Sequence, residues 1–104
     1  MLDGTVRVLV VEDEIKLASL IRKALAEQGM LADVAHRGED ALWMAEATAY
    51  DVLLLDVNLP GIDGFDIRHR LRIAGVRTPI VRLTARDGID ERITCQPMQD
   101  WRTI

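Results

Sequence analysis

The residue types best suited to chemistry in this chain are carboxylates that directly follow apolar runs. Asp56 comes after four consecutive apolar residues, 52–55, and a Pro-Gly pair follows at 60–61. A run that is apolar at every position is typical of a strand covered on both faces, as in a parallel sheet with helices on either side. In open sheets of this kind, ligands bind at the carboxyl ends of the strands. Asp56 is therefore predicted to lie at a binding edge.

A second group of acids, beginning with Glu12 and Asp13, ends the apolar run at residues 6–11. If the two strands are neighbours, Glu12, Asp13 and Asp56 arrive at the same edge of the sheet. Two like charges about 4 Å apart cost about 4 kcal/mol at an effective dielectric near 20, so the cluster requires protonation, a cation or wide spacing. Mg²⁺ prefers oxygen ligands and suits such a site, and the backbone carbonyl of Asn58 is a further candidate ligand.

Asp56 also has a possible role as a nucleophile. A carboxylate at a metal site can carry an acyl phosphate. Thr84 ends a later strand-like run, and its hydroxyl is placed to share the developing charge. Each residue alone has an ordinary alternative: Glu12 and Asp13 as loop or helix-end charges, Asp56 as a turn residue and Thr84 as a cap. Their joint occurrence in this order favours a site.

The elements that must position these side chains alternate between strand and helix. Strands are predicted at residues 6–11, 30–35, 52–55 and 78–84. Helices are predicted between them, the first closed by Gly29, the second spanning 38–47, the third capped by Asp63, and a fourth running from Asp87 through Ile93. The predicted inward-facing helix residues are Leu17, Leu20, Ile21, Ala24 and Leu25, then Ala41, Leu42 and Ala45 with Trp43 or Met44, then Phe65, Ile67, Leu71 and Ile73. This alternation implies right-handed crossovers and a doubly wound α/β sandwich with a parallel sheet.

Composition narrows the class of protein. A chain of 104 residues, 49% hydrophobic and 29% charged, fits one soluble globular domain. A net charge of -4 gives no basic patch for phosphates, so direct nucleic-acid binding is not expected. Cys95 is the single cysteine, which excludes a disulfide within the chain and favours a reducing compartment. With no apolar segment of about 20 residues and no signal-peptide pattern, the cytoplasm is the predicted location and no membrane contact is expected.

Three motifs in order carry a resemblance to a known family: VLVVEDE, VLLLDVNLPGIDGFD and PIVRLTA. Together they resemble the receiver domain of bacterial two-component response regulators, most closely the receivers that precede winged-helix DNA-binding domains. The resemblance covers residues 6 to about 93 and implies a flavodoxin-like fold with sheet order 2-1-3-4-5. It implies a sensor histidine kinase as the phosphoryl donor, transcription control as the output, and no turnover of an external substrate. The implied site residues are Asp56 as phosphoacceptor, Glu12, Asp13, Asp56 and the Asn58 carbonyl as Mg²⁺ ligands, and Thr84 as the switch hydroxyl.

The chain departs from the family pattern after about residue 93. Receivers have a fifth strand that ends in a lysine before a proline, followed by a fifth helix. Here residues 94–104 read TCQPMQDWRTI, and they are predicted to be an irregular tail to an incomplete receiver domain at residues 1–93. Lys16 and Lys23 are the only lysines, and both belong to the first helix, so no residue matches the family's phosphate-binding lysine.

These departures leave alternatives open. Without a fifth strand, the fourth would be a sheet edge, which predicts self-association or domain swapping through that edge. An edge position is also the favoured explanation for the charged Arg82 in an apolar strand, and the alternative is that Arg82 substitutes for the missing lysine. The chain would then be a truncated interaction or dimerisation module that lacks phosphotransfer. A Mg²⁺-dependent hydrolase with an aspartyl-phosphate intermediate is disfavoured, because Asn58 stands where such enzymes need a second acid. His36 and His69 lack metal-ligand partners at usable spacing and are predicted to lie at the surface.

Overall fold

The strands and helices alternate as the apolar pattern predicts. The computed structural model describes residues 5–56, 59, 61–85 and 93–97, and it describes side chains no further than Arg82. The elements are β1 (Arg7–Val11), α1 (Ile15–Glu27), β2 (Leu31–Ala35), α2 (Gly38–Ala47), β3 (Val52–Asp56), α3 (Gly64–Ile73), β4 (Ile80–Ala85) and β5 (Ile93–Pro97). Of the predicted helix from Asp87 through Ile93, residues 87–92 lie outside the described part. Ile93, its predicted last residue, belongs instead to a strand.

The sheet has the spatial order β2-β1-β3-β4-β5. β1 pairs in parallel with β2 and with β3, and β3 pairs in parallel with β4. These four strands form the parallel sheet of a doubly wound, flavodoxin-like fold, as predicted. β5 occupies the fifth position but runs antiparallel to β4, so it is not the parallel fifth strand of the family pattern. The described residues include three helices, and none of them follows β5.

The prediction of an irregular tail at residues 94–104 is wrong for residues 94–97, because they belong to β5. Ile93 and Thr94 are β-branched, which favours a strand, and Pro97 is the last residue of this edge strand, a location where proline is tolerated. The hydrogen-bonding groups along the second side of β4 supply the partner for this strand. Residues 98–104 lie outside the described part of the chain.

The prediction that β4 is a sheet edge is wrong for the same reason. β4 pairs with β3 on one side and with β5 on the other. Arg82 stands opposite Leu55 in the first pairing and opposite Gln96 in the second, and its side chain is half-buried. Edge exposure therefore does not explain the arginine, and self-association through an uncovered fourth strand loses its basis.

Two apolar layers hold the helices against the sheet. On one face, Leu9, Leu53 and Leu55 are fully buried against residues of α2 and α3. On the other face, Val8 and Val10 pack with Ile21 of α1, and Leu17 and Leu25 lie partly buried beside them. Alternate residues of β1 and β3 thus serve opposite faces, which is the reason their sequences are apolar throughout.

The inward faces of the helices are narrower than predicted. Leu20 and Ile73 are 64% and 72% exposed, so their predicted inward orientation is wrong. Of the two alternatives in α2, Met44 packs against the core, whereas Trp43 is 61% exposed. Phe65 is 41% exposed and Ala24 is also exposed, which corrects those two predictions as well. The buried helix residues are Ala18 and Ile21 in α1, Gly38, Ala41 and Ala45 in α2, and Gly64, Ile67, Arg68 and Leu71 in α3.

The helix boundaries agree with the chemistry of their ends. Asp63 precedes α3, and its Oδ1 accepts a hydrogen bond from the Phe65 N–H at 3.3 Å, as the predicted cap requires. Gly29 follows α1 with a φ of 84°, a conformation that glycine adopts without strain. Among the described residues, no helix has the length and apolar character needed to span a bilayer.

Candidate acidic site at the carboxyl edge of the sheet

Strand register brings the two acidic segments together. Val11 is the last residue of β1, and it pairs with Ala35 of β2 on one side and with Leu55 of β3 on the other. The residues that follow in each strand, Glu12 and Asp56, therefore arrive side by side at the carboxyl edge. Carboxylate oxygens of Glu12, Asp13 and Asp56 all lie within 4.8 Å of one another. The predicted meeting of these three acids is thus found in the structure.

Glu12 is the buried member of the cluster, with only 2% of its surface exposed. Its Oε2 accepts a hydrogen bond from the Glu14 N–H at 3.0 Å, which favours the ionised form. Burial first of all, and then the charge of Asp56, a hydrogen bond with Asp56 and the charge of Asp13, nevertheless raise the pKa of the Glu12 carboxyl from 4.5 to about 7. Without a cation, the Glu12 carboxyl is therefore protonated in part near neutral pH.

The other two acids are more accessible. Asp13 is exposed and Asp56 is half-buried. The cluster thus combines an exposed, a half-buried and a buried carboxylate, and all of its ligand atoms are oxygens. Hard divalent cations, Mg²⁺ among them, prefer such donors, and a cation here would relieve the repulsion that raises the Glu12 pKa. The residues present therefore fit a divalent metal ion.

The main chain of Glu12 is held by the end of β2. Its N–H donates to the Ala35 carbonyl at 2.9 Å, which continues the ladder between β1 and β2. Its carbonyl oxygen lies 3.0 Å from Nδ1 of His36, the residue that follows β2. The sequence indicated only that His36 is exposed, which is correct, and did not indicate this contact. The contact could have been inferred from chain position. His36 directly follows β2, and β2 pairs in parallel with β1, the strand that Glu12 directly follows.

For two predicted site residues the structure gives less information. Thr84 lies in β4, one residue beyond Leu83, which stands opposite Asp56 in the ladder. Its backbone is therefore at the same edge as the acids, while its side chain is outside the description. Asn58, the predicted carbonyl ligand, lies among the residues that the structure does not describe. His69 is exposed on α3 and has no part in the cluster.

The fold and the acidic edge together define a class of signalling domain. The family described as the response regulator receiver domain matches residues 8–99, which is most of the chain. This protein belongs to that family. The match includes β5, although β5 runs antiparallel to β4, the strand with which it pairs.

Individual relatives are transcriptional regulators of greater length. The chain is 47% identical over 88 residues to the transcriptional regulatory protein TcrA of Mycobacterium tuberculosis, a match that covers 85% of this chain and 35% of TcrA. It is 46% identical over 87 residues to the transcriptional activator protein IrlR of Burkholderia pseudomallei, covering 84% of this chain and 38% of IrlR. The chain thus spans little more than a third of the curated relatives it matches.

Solved structures share the fold. The chemotaxis response regulator CheY4 of Vibrio cholerae superposes with a TM-score of 0.74 at 30% identity, covering 82% of this chain and 72% of CheY4. The response regulator TrrA of Thermotoga maritima, solved in complex with Mg²⁺ and BeF, gives a TM-score of 0.73 at 35% identity, covering 80% of this chain and 72% of TrrA.

Proposed function

We propose that this chain accepts a phosphoryl group on Asp56 from the phosphohistidine of a sensor kinase. The observation that carries the proposal is the convergence of Glu12, Asp13 and Asp56, whose carboxylate oxygens lie within 4.8 Å of one another at the carboxyl edge of the sheet. Of the three, Asp56 ends a central strand and is half-buried, so its carboxylate is held by the sheet and still open to a donor. Membership of the receiver family supports this role.

The reaction requires little of the protein beyond position and charge. One Asp56 carboxylate oxygen attacks the phosphorus of the phosphohistidine and forms a phosphorus–oxygen bond. The phosphorus–nitrogen bond breaks, and its electron pair stays on the imidazole nitrogen of the kinase, which takes up a proton. The product is an acyl phosphate on Asp56 and a neutral histidine on the kinase. The task of this chain is to hold the carboxylate in line with the donor.

We assign the metal role to Glu12, Asp13 and Asp56, with the Asn58 carbonyl as a fourth ligand. Bound Mg²⁺ would neutralise charge on the phosphoryl oxygens during transfer. Glu12 and Asp13 are suited to hold it because their carboxylates converge on one point and Glu12 is anchored by the Glu14 N–H. The related receiver TrrA was solved with Mg²⁺.

Thr84 is the proposed sensor of phosphorylation. It follows the residue opposite Asp56 in the β4 ladder, so its backbone lies at the edge where the phosphoryl group would be added. A hydroxyl there can bond a phosphoryl oxygen and draw β4 toward Asp56. The relatives named for transcriptional regulation make control of transcription, in the cytoplasm, the proposed output.

A small phosphodonor tests the proposal. The intact mass of the protein is measured after incubation with acetyl phosphate and Mg²⁺, with EDTA in place of Mg²⁺ in a parallel sample. The expected result is the mass of one added phosphoryl group in Mg²⁺ only, and its loss in Asp56→Asn. Asp51→Asn is the matched control, because Asp51 precedes the opposite end of the same strand. An unmodified mass in Mg²⁺, or an adduct that persists in Asp56→Asn, contradicts the proposal.

The second candidate is a receiver-like binding module without phosphotransfer. It is favoured by the antiparallel β5, since a strand in this orientation does not deliver a residue from its carboxyl end to the acidic edge. The chain's two lysines both lie in α1, so the family's phosphate-binding lysine has no counterpart. This candidate predicts that the protein binds Mg²⁺ but takes up no phosphoryl group under any of these conditions.

A further inference from the structure

His36 touches the acidic site although it is not one of the candidate metal ligands. It is exposed, and its Nδ1 lies 3.0 Å from the carbonyl oxygen of Glu12. A carbonyl oxygen only accepts hydrogen bonds, so Nδ1 carries the proton in this contact. The neutral Nδ1–H tautomer and the imidazolium both donate this bond. The contact therefore does not depend on a change of charge at the ring.

The bond acts on the peptide group that joins two candidate ligands. The Glu12 carbonyl belongs to the planar unit between Glu12 and Asp13, so a restraint on its oxygen fixes the direction in which the chain continues to Asp13. On the other side, the Glu12 N–H donates to the Ala35 carbonyl at 2.9 Å. The end of β2 thus restrains both main-chain groups of Glu12.

This restraint opposes the repulsion within the cluster. When ionised, the carboxylates of Glu12, Asp13 and Asp56 repel one another. Asp13 can move away by rotation of its own side chain or by rotation of the Glu12–Asp13 peptide, and the second route displaces the Asp13 backbone as well. The Glu14 N–H holds the Glu12 side chain through Oε2 but does not touch this peptide. Of the hydrogen bonds described at Glu12, the one from His36 is thus the bond that holds the peptide between the two acids.

We propose that His36 is a positioning residue for the metal site, whose Nδ1–H holds the Glu12–Asp13 peptide so that both carboxylates stay within reach of one cation. This inference rests on the proposed function, because it requires the acidic cluster to bind a divalent ion. A site whose ligands are already ordered loses less conformational entropy when the ion binds, so its affinity is higher. Contacts that orient metal ligands commonly change affinity by about 10- to 100-fold. Since His36 is exposed, the expected loss without it is smaller, about three- to tenfold.

The test is a Mn²⁺ titration of the full chain, with free Mn²⁺ followed by electron paramagnetic resonance. His36→Leu removes the donor, and His36→Gln supplies a side-chain amide that can donate in its place. His69→Leu is the matched control, because His69 is the other histidine and lies exposed on α3. We expect a Kd about three- to tenfold weaker for His36→Leu, recovery to within about twofold for His36→Gln, and a wild-type Kd for His69→Leu.

Two further measurements separate positioning from general stability. Thermal unfolding in EDTA should be the same for all four proteins, and the Glu12 carbonyl ¹³C resonance should shift in His36→Leu but not in His69→Leu. A wild-type Kd in His36→Leu, or a loss that His36→Gln does not restore, overturns the inference and leaves the metal site intact. A wild-type protein that takes up no Mn²⁺ overturns the metal site itself, and the role of His36 with it.

Discussion

Glu12 is the residue at which burial and like charge act together. Its carboxyl is almost inaccessible, it lies beside two other acids, and its pKa is raised to about 7. The folded protein therefore binds a proton at Glu12 more tightly than the unfolded chain does, between the ordinary pKa of 4.5 and about 7. Stability that depends on this proton is fully present below pH 4.5 and is lost as the pH rises through 7.

The pH dependence of unfolding tests this assignment. In EDTA, the contribution of Glu12 should lower the free energy of unfolding by up to about 3 kcal/mol between pH 5 and pH 8. Glu12→Gln keeps the shape of the side chain without the ionisation, so its free energy of unfolding should fall less over the same range. Urea denaturation at several pH values measures both proteins. Equal pH slopes in the two would show that Glu12 does not titrate as described.

At the scale of elements, α3 shows how the sheet selects one face of a helix. Ile67 and Leu71 are fully buried, whereas Ile73 is 72% exposed at the end of the same helix. The alternation of β3 turns Leu53 and Leu55 toward this side, and they share the core with Leu71. Burial of Leu71 therefore fixes the position of α3 against the strand that carries Asp56.

A pair of alanine substitutions tests the role of this face. Leu71→Ala should lower the free energy of unfolding by about 2–5 kcal/mol, because it leaves a cavity against β3. Ile73→Ala removes a similar side chain from an exposed position and should change it by about 0.5 kcal/mol or less. Chemical denaturation of both variants provides the comparison. Similar losses in the two would contradict the burial assigned to them.

The sequence predicted the structure correctly where only one arrangement of strands and helices explains a pattern of residues. Residues 52–55 are apolar throughout because the strand is covered on both faces, and parallel pairing then places Glu12 beside Asp56. The same kind of pattern failed for Leu20, which is 64% exposed, since an apolar side chain on a helix is buried only when it lies on the face that contacts the sheet. It failed for β5 because five residues ending in proline carry little strand signal of their own. The contact between His36 and the Glu12 carbonyl depends on the register of β1 and β2, which cannot be read from amino-acid composition.

At the scale of the whole molecule, β5 decides what the sheet exposes. It is antiparallel to β4 and covers the edge that the sequence predicted to be open. Val81 and Arg82 of β4 stand opposite Pro97 and Gln96 in this pairing. An unpaired strand edge offers its hydrogen-bonding groups to other chains, so β5 protects the molecule from association through β4.

Two truncations test this protection. Deletion of residues 93–104 should expose β4 and produce self-association that rises with protein concentration in sedimentation velocity experiments. Deletion of residues 98–104 alone is the matched control, because it keeps β5 and should leave the sedimentation coefficient unaffected. Circular dichroism confirms that each shortened chain is folded. A folded 93–104 deletion that stays monomeric at every concentration would show that β5 has no protective role.

The most direct test of the central claim is to locate the phosphoryl group in the sequence. After reaction with acetyl phosphate and Mg²⁺, borohydride reduces an acyl phosphate on aspartate to homoserine, which peptide mass spectrometry then assigns to a position. Homoserine is expected at position 56, with Asp13 and Asp51 unmodified and no product in EDTA. Homoserine at position 13 or 51, or no homoserine in a chain that binds Mg²⁺, would rule out Asp56 as the phosphoacceptor.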